Sequence, residues 1–210
     1  MDPLSNVLSD LNVAGRLYFQ KTLALPWSVN VHHDESVVRF HIVQSGHCYV
    51  RLRASSEPIL IEQGDIVLIS QGESHTIYSD PSAEPEAIEL NQILYPDTVD
   101  NDRPSNSDIK PGDTVTQIVC GHYTFNQRSN VPLLSSLPAV IHRKNANDEF
   151  SHWMNHTLEL CASNDSIPLP HSEVVVVKTA EIALALAIRM YLNSKCIKGL
   201  DIEDLCNVKH

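Results

Sequence analysis

The chain has 210 residues, 42% of them hydrophobic, and a formal net charge of −11 at pH 7. That length holds one sizeable domain with its own core, and that charge excludes a broad basic surface for gripping a phosphate backbone, which needs clustered lysine and arginine. Five cysteines (Cys48, Cys120, Cys161, Cys196, Cys206) are odd in number and lie mostly in apolar runs. With no basic-then-apolar leader at the start, they predict reduced thiols in a cytoplasm. The most apolar stretch, 174–192, is interrupted by Lys178, Glu181 and Arg189, so no membrane span is expected.

In chain order, Leu4, Val7, Leu8 and Leu11 follow helical spacing and predict a short opening helix. From Arg16 the period becomes strand-like. Segments 17–22, 27–32, 37–43, 48–53, 59–62, 66–69 and 75–78 are separated by Gly, Pro, Ser and Asp, which describes an antiparallel barrel or sandwich because parallel strands would need long crossovers. A polar, proline-bearing region follows to Asp113, with Leu90–Tyr95 as its apolar island and a long surface loop over 97–113. Residues 114–125 predict a last barrel strand. Thereafter the pattern is helical: a turn over 132–137, an amphipathic helix over 148–161 with Phe150, Trp153, Leu158 and Cys161 on its apolar side, and a long helix over 172–192 headed by Ser172 and Glu173. The division is a barrel over 1–142 and a helical part over 143–210.

One stretch carries a device. Gly64-Asp65-Ile66-Val67-Leu68-Ile69-Ser70-Gln71-Gly72-Glu73-Ser74-His75 is a turn, a buried strand, a second turn wanting positive φ at Gly72, and a histidine. It resembles the second motif of the cupins, G-x5-P-x-G-x2-H, with Ser70 in the proline place. The fold class implied is mainly β, a jelly-roll barrel followed by C-terminal helices. The wider set is similar to the N-terminal cupin domain of AraC-type bacterial transcription regulators: the Met1-Asp2-Pro3-Leu4 opening, the strands 40–43 and 48–52 around Gly46, the 119–125 strand, the Leu133–Pro138 segment and the final helix. The resemblance covers residues 1 to about 194. It implies a ligand-sensing, homodimeric domain that takes a small-molecule effector in its barrel and meets DNA only through helix-turn-helix units beyond His210. The chain is then either a regulatory domain cut from such a protein or a stand-alone relative.

The first cupin motif, H-x-H-x3-4-E-x6-G, is degraded. Counting back from Gly46 puts Arg39 at the glutamate, and a guanidinium cannot ligate a metal. The competing class, a small metal-dependent cupin enzyme acting on a small organic substrate, is weakened accordingly. Arg39 either receives a ligand carboxylate in bidentate fashion or is tied up by a structural glutamate. His41 shares a strand face with Arg39, and Cys120 shares one with His122. If the barrel gathers these near His75, then His41, His75, Cys120 and His122 make a tetrahedral set suited to zinc, against the plainer reading of core residues. His32 and His33 are expected as a solvated strand end, Cys48 as core, and Trp27 and Trp153 as core fillers.

Overall fold

A computed structural model describes residues 13–82, 87–94, 113–125, 137–145, 148–162 and 172–196. The strands are β1 (Val13–Ala24), β2 (Ser28–Val31), β3 (Val37–Ser45), β4 (His47–Leu52), β5 (Ile59–Glu62), β6 (Ile66–Ile69), β7 (His75–Tyr78), β8 (Ile88–Glu89), β9 (Val115–Phe125) and β10 (Val140–Arg143). The helices are α1 (Leu90–Leu94), α2 (Glu149–Ala162) and α3 (Ser172–Cys196). The strands form two five-stranded sheets, ordered β1-β9-β3-β6-β10 and β5-β4-β7-β2-β8. Every pair is antiparallel except β2 with the two-residue β8, which is parallel.

Alternation along the strands of the first sheet divides two cores. Val38, Phe40 and Ile42 of β3, with Ile66 and Leu68 of β6, face α2 and α3, where they meet Met154, Leu158, Val176, Leu184 and Ile188. Val43, Val67, Ile69, Ile118 and Cys120 face the other way, into the barrel, against Val29, Val31, Val50, Ile61 and Ile77 of the second sheet. A sheet covered on both faces explains why β3 and β6 read as near-continuous apolar runs. The helix side is fastened by polar bonds as well: Tyr123 Oη donates to the Ala180 carbonyl at 2.5 Å, and the Gly15 N–H donates to Glu181 Oε1 at 2.9 Å.

The barrel end at the β5–β6 turn is knotted by Asp65. Its carboxylate accepts from the Glu62 N–H at 3.1 Å, the Asn145 N–H at 2.7 Å and His142 Nε2 at 2.8 Å, tying β10 to that turn. At the other end of β6, Ser70 uses its own N–H to donate to the Ala139 carbonyl at 3.0 Å. Proline has no such N–H, which accounts for serine in the usual proline place.

Several expectations change. Strand β10 was not expected as a strand, and β1 runs far beyond 17–22. Trp27 is buried, but Trp153 is 44% exposed, because Met154 takes the inward position on α2. On α3 the predicted apolar surface divides: Val176, Leu184 and Ile188 are buried against the sheet, whereas Val174, Val175, Ile182 and Met190 remain exposed. The opening helix, the 132–136 turn, nearly all of the 97–113 loop and residues 197–210 lie outside the described residues. Among the described residues no helix is long and apolar enough to cross a membrane.

Candidate functional site

Register assembles the site. In the β3–β9 ladder His41 is paired with Cys120 and Arg39 with His122, so both pairs project into the barrel from neighbouring strands. β7 brings His75 from the opposite sheet. His41, His75 and Cys120 are each no more than 2% exposed.

Those three form a row. His41 Nδ1 lies 3.1 Å from Cys120 Sγ, His41 Nε2 lies 2.8 Å from His75 Nε2, and His75 Nδ1 lies 2.8 Å from the Glu73 carbonyl. One terminus fixes the protons. A carbonyl only accepts, so His75 must carry its proton on Nδ1; neutral His75 then offers Nε2 as acceptor, His41 donates from Nε2, and Cys120 donates its S–H to His41 Nδ1. The electrostatics agree with an uncharged row. Burial, with Arg39 adding a smaller push, lowers His75 to about 4 against the raising effect of the Glu73 carbonyl. His41 is held well below the usual imidazole range by burial, then by His75 and Arg39. Burial holds the Cys120 thiol well above its usual range, which makes it a poor nucleophile.

As placed, the four expected zinc ligands do not fit one ion. Zinc–nitrogen bonds of about 2.0–2.1 Å in a tetrahedron set two ligand nitrogens roughly 3.3 Å apart, whereas the His41 and His75 Nε2 atoms are 2.8 Å apart. The two partners of His41 also sit on opposite edges of its ring, and one ion cannot use both. His122 stands two register positions further along β9, beside Arg39. Among the described residues no group of three or more His, Cys, Asp or Glu has metal-holding geometry. The row carries its own test. Cys120→Ser keeps a donor for His41 Nδ1, so it is expected to cost about 1 kcal/mol, and chelator is expected to leave the melting temperature of either protein unchanged. A chelator-sensitive melt that Cys120→Ser abolishes would establish zinc instead.

Arg39 is 4% exposed. Its Nη1 donates to the Gly72 carbonyl at 2.6 Å and its Nη2 to the His32 carbonyl, while Nε, also buried, has no partner. Among the described residues no carboxylate forms an ion pair with Arg39, so the structural glutamate is not found; backbone carbonyls orient it, with the Tyr18 phenol alongside. Around it stand His122, whose buried Nδ1 is also unpartnered, and Tyr18, whose ring lies 4.9 Å from that of His122. Burial lowers His122, Arg39 and Arg16 add to this, and Asp34 opposes. Burial raises the Tyr18 phenol against the pull of Arg39. Tyr18 was not singled out from sequence. It lies at the register shift of β1 between Leu17 and Phe19, which no spacing announces. A cleft of about 480 Å³ lined by His47, Glu62, Asp65, Lys144 and others opens at the opposite barrel end and touches none of these groups. His32 and His33 are exposed and Cys48 is buried, as expected.

The sequence matches the cupin family over residues 2–193. Two curated relatives, both named AraC-like transcription regulators, come from Streptomyces lividans and Streptomyces antibioticus. Each is 28% identical over 142 residues, which is 68% of this chain and 44% of the relative. The chain thus spans less than half the length of the curated relatives it matches. Among solved structures, YhaK from Escherichia coli is similar at a TM-score of 0.39 and 12% identity, covering 65% of this chain and 45% of its own. ToxT from Vibrio cholerae is similar at 0.39 and 9%, covering 87% and 55%. At such scores neither bears on what binds here.

Proposed function

The chain belongs to the cupin family, and from that premise we propose that it is the effector-sensing, dimerising part of an AraC-type transcription regulator, with DNA read by a helix-turn-helix domain that these 210 residues do not include. One observation carries the reading. Where a metal-dependent cupin needs an acidic ligand, this barrel places Arg39, fixed by two backbone carbonyls and buried with its Nε unpartnered. A buried cation with an unpartnered nitrogen in the barrel supports a role in receiving a solute. The names of the two Streptomyces relatives support the regulator class. The enzyme alternative needs a metal with an open position and a poised acid or base. His41 has both ring nitrogens engaged, and Cys120 is a protonated thiol.

An effector acts only by binding one conformation better than another, and α3 is positioned to pass that preference on, since it packs on β1 and β9 of the first sheet, which also carries Arg39 and His122. A fusion of the whole chain to a heterologous DNA-binding module that needs dimerisation tests this in one assay. Operator occupancy is expected, and is expected to change with a bound small molecule. A fusion that never occupies the operator, and never responds to any solute, would sink the reading.

The proposed homodimer uses the exposed α3 stripe. Val175, Ile182 and Met190 are 46%, 45% and 51% exposed, on one side of a helix whose other side is buried. Ile182→Asp is therefore expected to give a folded monomer by sedimentation, whereas Leu184→Asp, at a position 2% exposed, is expected to unfold the protein. A parent chain that sediments as a monomer at high concentration would refute the dimer.

A further inference from the structure

At one end of the barrel, three adjacent strands turn donors to the same place. β1 supplies Arg16 and Tyr18, β9 supplies His122, and β3 supplies Arg39; Arg16 and Arg39 are the cross-strand partners of His122 on its two sides. In a chain of net charge −11 this convergence of two guanidinium groups, an imidazole and a phenol runs against the average. The nearby acid, Asp34, is exposed and turned to its own loop, where Oδ1 accepts from the Ser36 N–H at 2.9 Å and from Ser36 Oγ at 2.5 Å. Two buried polar atoms are left over, Arg39 Nε and His122 Nδ1. Two carbonyls and the Tyr18 phenol contact this buried cation and the Asp34 carboxylate acts on it only from a distance, so no carboxylate is paired with it, and buried polar atoms without partners are rare enough to need a reason.

We propose that this end of the barrel is an anion site that takes the carboxylate of a small, partly apolar organic acid, held by the free edge of Arg39 with His122 and Tyr18 as further donors. The inference rests on the effector-sensing reading and gives the effector its chemical class. Arg39 has two terminal nitrogens tied to carbonyls, so its plane is already oriented, and an Nε–Nη edge matches two carboxylate oxygens. A carboxylate fits better than a phosphate: one buried guanidinium balances a single negative charge, and a phosphate monoester brings nearly two. The walls next to the polar cluster select for an apolar body. Ile69 is the cross-strand neighbour of Arg39, Phe19 that of Cys120 and Val31 that of His75, and all three are buried.

Calorimetric titration of the full chain at pH 7 with benzoate, 3-phenylpropionate and hexanoate, each beside its primary amide, and with inorganic phosphate, separates the possibilities. At least one carboxylate is expected to bind with a sub-millimolar Kd and at least tenfold more tightly than its amide. Arg39→Gln is expected to erase that preference. Should Arg39→Gln fail to fold, His122→Asn and Tyr18→Phe at half-buried positions are each expected to reduce the preference at least threefold. Amides binding as well as acids, a preference that survives these substitutions, or phosphate binding in place of carboxylates would overturn the carboxylate class and leave the sensor reading standing. No binding by any acid or amide would overturn the carboxylate proposal, while the operator-occupancy assay decides the sensor reading separately.

Discussion

Acidification from pH 6.5 to about 4 is expected to remove roughly 3 kcal/mol of folding stability through His75 alone. The folded protein keeps this imidazole neutral down to about 4, while the unfolded chain takes up its proton near 6.5, and each unit of difference corresponds to about 1.4 kcal/mol. The sign follows from proton counting. Between those two values the unfolded state holds more protons than the folded one, so stability is full above about 6.5 and falls as pH drops towards 4. His41, lowered well below its usual range by burial, by His75 and by Arg39, extends the loss further down. The carboxylates of Asp34, Asp80 and Asp148, lowered chiefly by bonds from Ser36, Ser82 and Ser151, contribute in the opposite regime: their stabilisation is present above the ordinary carboxylate range and is lost only below it. Urea titrations at pH 7.5, 6.5, 5.5 and 4.5 sample the imidazole window and stay above the carboxylate one. A natural domain has only about 5–15 kcal/mol in total, so the imidazole window alone is expected to move the acid-unfolding midpoint. His75→Gln is expected to flatten the slope between 6.5 and 4.5. An unflattened slope in the His41→Gln, His75→Gln double variant would place the acid sensitivity elsewhere.

Much of this site was legible because strand parity is rigid. His41 and Arg39 are two apart, as are Cys120 and His122, so each pair shares a face whatever the tertiary fold, and the motif ending in His75 names the third strand. Parity does not say which members of two such pairs stand opposite each other. Register decides that, and it sets Cys120 against His41 and His122 against Arg39, turning an expected tetrahedron into a row and a separate cationic cluster. Nor does sequence reveal which backbone carbonyls will meet a guanidinium, since Gly72 and His32 approach Arg39 only through two turns from different parts of the chain. In the fold, the period-2 segments and glycine turns were readable, whereas β10 was not: four residues after a proline give too short a run to distinguish strand from helix, and it exists because β6 offers it an edge. The long helix showed the same limit. Apolar residues on nearly every side of 174–190 carry no direction, so the buried Leu184 and the exposed Ile182 could be told apart only once the sheet lay beneath them.

Gly72→Ala is expected to be the most damaging single-methyl substitution tested at the barrel turns, costing about 4 kcal/mol, of which ~1–2 belongs to the backbone conformation itself. Gly72 has φ of 62°, in the left-handed region, and a Cβ there would lie 1.8 Å from the Asp34 carbonyl oxygen and 2.6 Å from its carbon. Those are main-chain atoms, so no side chain can swing aside; the β2–β3 turn or the β6–β7 turn must move. The Gly72 carbonyl accepts from Arg39 Nη1 at 2.6 Å and from the Asp34 N–H at 3.0 Å, and displacement loses both bonds around a buried cation. Gly64 is the internal control. It too has positive φ, at 84°, but its added Cβ would meet the amide end of Asn145, a side chain that can rotate away at the loss of its 3.1 Å bond to the Gln63 carbonyl. Gly64→Ala is accordingly expected to cost about 1–2 kcal/mol. Both variants can be measured by urea denaturation at pH 7.5, where the imidazole window is closed. Equal losses would mean that backbone conformation alone sets the cost and that the turn carrying Asp34 yields freely; a loss at Gly72 at least twice that at Gly64 would show that the two turns clamp Arg39 between them.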